Sequence, residues 1–137
     1  LCDLISKIVD EDGRITIPHF YDKVEEVPAA EREMIAQIPF DEQKYMDAIG
    51  VKQLKGEKGY STLERNSCRP SFDVCGIWGG YTGEGSKTVL PSKAYAKVSC
   101  RLVPHQDHET ISQLFIDYIN SIAPEYVQVK VTPMHGG

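Results

Sequence analysis

The sequence holds 137 residues, enough for one domain with a substantial core. Apolar residues at 41%, charged residues at 26% and a net charge of −5 describe an ordinary soluble globular domain. They leave no basic stripe for nucleic acid, no apolar run near the roughly 20 residues of a membrane span, and no secretory signal.

Leu1, Leu4, Ile5, Ile8 and Val9 share one helical face, which predicts an amphipathic helix ending at Asp10-Glu11-Asp12-Gly13. The helical pattern is already running at residue 1, so the chain reads as a segment of a longer protein. Residues 14–22 form an extended piece that Pro18 assigns to a sheet edge. Pro28 opens a helix bearing Met34, Ile35 and Ile38; Asp41 caps a second helix, closed by Gly50. Residues 51–69 read as loop with one more helical turn.

Two strands follow, Phe72 to Trp78 and Tyr95 to Val103, joined by a glycine-rich loop. In the second, Ala94, Ala96, Val98, Cys100 and Leu102 face inward, and Tyr95, Lys97, Ser99 and Arg101 face water. Asp107 caps a helix with an apolar stripe of Ile111, Leu114, Phe115, Tyr118, Ile119 and Ile122, stopped by Pro124. Val127, Val129 and Val131 alternate with polar residues, which predicts a final half-buried strand. With one strand before residue 1, this order gives a ferredoxin-like α+β fold: an antiparallel sheet with helices on one face, interrupted by an insertion over 11–69.

The loop fails both phosphate-binding fingerprints. Ser86 separates Gly85 from Lys87, Val89-Leu90-Pro91 leads to a strand rather than a helix, and no third glycine follows Gly83 and Gly85 at the required spacing. His105 and His108 fall in a strand-to-helix turn without a further zinc ligand, and His19 and His135 stand alone. Glu25, Glu26, Glu31 and Glu33 flank a helix start and read as a solvated face. The cysteines Cys2, Cys68, Cys75 and Cys100 lack CxxC spacing. With Cys75 and Cys100 in strands, they read as buried free thiols in a reducing cytosol.

Arg101 is either an ordinary surface charge or a fork for a carboxylate. With the hydroxyl of Thr88 it forms the candidate binding set, suited to a small anionic group such as a peptide C-terminus.

Gly-Arg-Ile-Thr-Ile-Pro-His-Phe-Tyr-Asp (13–22), Arg-Pro-Ser-Phe-Asp-Val-Cys-Gly-Ile (69–77), Gly-Glu-Gly-Ser-Lys-Thr-Val-Leu-Pro (83–91) and Arg-Leu-Val-Pro (101–104) resemble carnosinase-like dipeptidases. These belong to the aminoacylase and glutamate-carboxypeptidase group of two-metal peptidases. The resemblance implies that residues 1–137 are the lid, or dimerisation, domain of a cytoplasmic homodimeric enzyme that hydrolyses dipeptides. It implies that Arg101 grips the substrate's terminal carboxylate and that Thr88 approaches the substrate site of the partner subunit. Two zinc (or manganese) ions, their ligands and the general base would lie in a catalytic domain outside these residues. The lid's first strand and its histidine that reaches across the dimer would precede Leu1, leaving an exposed sheet edge. Two other readings stand beside it: a free-standing ferredoxin-like module binding a small anion, and a purely structural dimerisation unit.

Overall fold

The computed structural model describes residues 1–136. They form an α+β domain with five helices, α1 (Cys2–Ser6), α2 (Ala29–Ala36), α3 (Glu42–Ile49), α4 (Thr62–Ser67) and α5 (His108–Ile122), and two strands, β1 (Ser71–Gly79) and β2 (Ala94–Arg101).

Local signals set most boundaries. The Asp41 carboxylate accepts from the Lys44 amide at 3.0 Å, and Gly50 takes the left-handed φ of 73° that ends α3 without a Cβ penalty. Asp107 accepts from the Thr110 amide at 2.8 Å and starts α5. α4 opens on a capping box, in which the Ser61 hydroxyl takes the Glu64 amide and the Glu64 carboxylate takes the Ser61 amide.

The sheet is one antiparallel pair, registered from Ser71↔Arg101 to Gly79↔Ala94, with a bulge between Val74 and Gly76. Along β2 burial alternates from Tyr95 onward, with Ala96, Val98 and Cys100 half-buried and Tyr95, Lys97, Ser99 and Arg101 exposed, whereas Ala94, expected inward, is exposed. α5 covers the inner face, where Phe115 stacks on Phe72 with ring centroids 6.2 Å apart. The core gathers Ile8, Ile15, Ile17, Phe20, Ile111 and Ile119, with Phe20 and Ile8 each only 1% exposed.

Four expectations are corrected. The first helix is a single short turn, because the chain turns after Ser6 and leaves Ile8 to the core. Residues 14–22 are not an edge strand: one bridge, Val9↔Ile15, gives way to turns after Ile17, and three of their apolar side chains form the middle of the core. Residues 127–131 join no ladder. Val129 and Val131 still pack against the core, but they pair with neither β1 nor β2, and a strand requires a hydrogen-bonded neighbour. Among the described residues the sheet therefore has two strands, fewer than the ferredoxin-like arrangement expected. Of the cysteines read as buried, Cys2 and Cys75 are exposed, and Cys75 occupies the bulge, unpaired in the register.

Candidate functional site

The two candidate binding residues lie at opposite ends of the hairpin. Arg101 closes β2 opposite Ser71, the first residue of β1. It is exposed and makes no side-chain hydrogen bond or ion pair among the described residues. The carboxylate of Asp73, opposite Ser99, instead accepts from the Ser71 hydroxyl at 2.7 Å. The guanidinium is thus left with its donors available, set on a regular backbone.

Thr88 belongs to the exposed loop between the strands, at the other end of the ladder. Across the eight residues of β2, at about 3.4 Å each, the ends stand roughly 24 Å apart. The strand end that carries Arg101 and the loop that carries Thr88 are thus separated by the length of β2. The loop turns through Gly80 and Gly85, both at φ 80°, and the Tyr81 hydroxyl donates to the Glu84 carbonyl at 3.0 Å. The Lys87 ammonium lies 5.6 Å from the Tyr81 ring centroid. The loop feeds β2 rather than a helix, so it has no phosphate cradle.

The hairpin arm that carries this loop leaves large apolar groups in water. Ile77, Trp78, Tyr95 and Val89 are about half exposed, Leu90 is 96% exposed, and Trp78 stacks on Tyr95 at 5.4 Å.

A polar cluster not anticipated from the sequence braces the opposite end. The buried Arg69 guanidinium donates from Nε and Nη2 to the two oxygens of buried Glu57, each at 2.7 Å. Arg69 also stacks over Tyr60 at 4.2 Å, and Arg14 approaches Glu57 at 3.5 Å. Nearby, Arg32 grips Glu64, which is 4% exposed, and donates to the Gly59 carbonyl at 2.7 Å. These contacts tie Arg14, Glu57 and Tyr60 to Arg69, just before β1, and Arg32 to residues 59–64. The signal that could have located part of it is the Ser61-x-x-Glu64 spacing of the capping box.

Arg32, and then the Ser61 amide, hold the Glu64 carboxyl down to about 2 from its ordinary 4.5. Because the folded value is the lower one, the ionised pair stabilises the domain above pH 4.5, and that contribution is lost as pH falls from there towards 2. Arg32→Gln should therefore lower stability at pH 7 and flatten its decline on acidification. Urea unfolding of both proteins at pH 7 and pH 3 checks this; parallel pH dependences would contradict it.

The histidines are surface groups. His19 and His105 adopt left-handed φ of 65° and 71° and pair with Asp22 at 2.8 Å and Glu25 at 3.3 Å. His108 is the exposed first residue of α5, and His135 is exposed. Of the glutamates, Glu26 accepts from the Tyr60 hydroxyl at 2.8 Å, and Glu31 and Glu33 are exposed. Burial pushes the Cys100 thiol up to about 11, which suits a packing role rather than reactivity. Among the described residues no group of three or more His, Cys, Asp or Glu could hold a metal ion. No described helix is long and apolar enough to cross a membrane.

The domain thus carries its two candidate residues at the two ends of one hairpin. The chain belongs to the peptidase dimerisation domain family, whose sequence profile matches residues 1–127. It is 29% identical over 122 residues to a Cys-Gly metallodipeptidase of Schizosaccharomyces pombe, covering 89% of this chain and 26% of that protein. It is 27% identical over 122 residues to the Beta-Ala-His dipeptidase of Rattus norvegicus, covering 89% of this chain and 25% of that protein. Its fold superposes on an M20 family metallo-carboxypeptidase from Sulfolobus solfataricus with a TM-score of 0.76 and 38% identity, over 88% of this chain and 31% of that one. Human carnosine dipeptidase 1 gives a TM-score of 0.73 at 27% identity, over 86% of this chain and 25% of that one. The chain therefore spans about a quarter of the length of the curated relatives it matches.

Proposed function

We propose that residues 1–137 act as the dimerisation and substrate-capping lid of a longer, cytoplasmic metallopeptidase that hydrolyses dipeptides. Residues 11–69 are an insertion within that lid. The lid completes a ferredoxin-like sheet with a strand from elsewhere in the parent protein, which would give residues 127–131 a strand to pair with. Arg101 binds the terminal carboxylate of the substrate, and Thr88, at the tip of the arm, serves the substrate site of the partner subunit in a homodimer.

The observation that carries this reading is the state of Arg101. It is a forked donor on a regular strand end, exposed, and without a carboxylate partner among the described residues. The half-exposed Trp78, Tyr95 and Ile77 on the arm support self-association. The roughly 24 Å between Arg101 and the loop fits two sites served by two subunits better than one site in one chain.

The relatives' names imply metals, and the residues of this chain do not fit them: no described cluster has enough ligands. The two zinc or manganese ions of the proposed enzyme belong to its catalytic domain. What this chain supplies is orientation. Fixing the carboxylate end of a dipeptide sets where its scissile carbonyl lies, a contribution to positioning rather than to bond cleavage. Substitution of Arg101 in the full-length peptidase tests the reading.

A further inference from the structure

We infer that Gln106 is a positioning residue for Arg101, fixing the strand end from which the guanidinium projects; this rests on the substrate-binding reading of Arg101. Beyond Arg101 the ladder stops, and its last rung is held by Ser71 alone. A strand end of this kind frays unless the next backbone groups find partners.

Gln106 supplies them. Its Oε1 accepts from the Val103 amide at 3.1 Å, and its Nε2 donates to the Phe20 carbonyl at 2.8 Å. One side chain thus joins the segment two residues past Arg101 to a residue only 1% exposed. The Gln106 amide also donates to the Val103 carbonyl at 3.2 Å, closing the turn from both ends. That closure holds His105 at φ 71°, in the left-handed region that residues other than glycine seldom occupy. Backbone strain beside a binding group is expected where the surrounding contacts fix its direction. Leu102, packed on the core between Arg101 and Val103, transmits the constraint along the chain.

The test uses the full-length peptidase and two substrates, a dipeptide and the same dipeptide amidated at its C-terminus. Gln106→Leu removes both side-chain hydrogen bonds. Gln106→Glu keeps the acceptor for Val103 and loses the donor to Phe20, and it decides the matter if the leucine variant does not fold. Either substitution should lower kcat/KM for the free dipeptide by about 10-fold, chiefly through KM, and leave the amide within about 2-fold. In an Arg101→Ala background the same substitutions should add less than about 2-fold, because the group they aim is gone.

Equal losses on both substrates, no loss on either, or full additivity with Arg101→Ala would overturn the positioning role. If Arg101→Ala shows its own carboxylate-dependent loss and the Gln106 variants do not, only this inference fails. If Arg101→Ala is silent, the reading beneath it fails as well.

Discussion

Replacing Arg101 with alanine in the full-length peptidase should lower kcat/KM for dipeptides at least ~10-fold, mainly by raising KM. Each hydrogen bond between charged groups contributes about 1.5–3 kcal/mol, and a factor of ten requires only about 1.4 kcal/mol. A forked contact to a carboxylate therefore exceeds that threshold even after allowing for solvent around an exposed side chain. Arg101→Lys should recover part of the loss, since it keeps the charge and loses the planar fork. Stability should stay within about 0.5 kcal/mol of the parent, as expected for a surface side chain with no partner in the fold. Steady-state kinetics beside an unfolding curve separates binding from folding. Unchanged dipeptide kinetics would remove the substrate-binding role.

The largest effect on stability should come from Arg69. Its guanidinium and the Glu57 carboxylate are both buried and joined by two bonds at 2.7 Å. Removing one partner strands the other as a desolvated charge, so Arg69→Ala should cost about 3–5 kcal/mol. That is a large share of the roughly 5–15 kcal/mol by which such domains are stable. The double substitution Glu57→Leu with Arg69→Met should restore more than half of it, because no buried charge is left unpaired and the Tyr60 ring still has a side chain to pack against. Urea unfolding of the three proteins measures the difference. A double variant no better than Arg69→Ala would show that the pair is worth more than the burial of its apolar replacements.

Local chemistry was the legible part of this fold. Asp41, Gly50 and Asp107 fixed helix ends because a cap acts within a few residues, and the alternation over Ala94–Arg101 marked its wet face because the pleat has a period of two. The same alternation misled at Val127–Val131, where the pattern is present and the neighbouring strand is not. Pro18 suggested an edge, yet Ile15, Ile17 and Phe20 became the core because turns, rather than a ladder, satisfy that segment.

The site divided along similar lines. Arg101 stood out on a strand face, whereas the Arg69–Glu57 and Arg32–Glu64 pairs unite charges 12 and 32 residues apart, and no short-range period links them. In sequence they are indistinguishable from solvated charges. The separation of Arg101 from Thr88 became measurable only once the hairpin register was known. The register puts the pair at opposite ends of the hairpin, which is compatible with the two-subunit roles that the family resemblance implies.

Mixed dimers test the composite site most directly. Full-length Arg101→Ala and Thr88→Ala proteins, each impaired alone, are unfolded and refolded together so that subunits exchange, and dipeptide hydrolysis is compared with each parent. If Thr88 serves the partner's site while Arg101 serves its own, every mixed dimer contains one fully intact site, and activity rises well above both parents. If both residues act within one subunit, or neither touches substrate, every site in the mixed dimer keeps a defect or none matters, and the mixture shows only the average of its two parents.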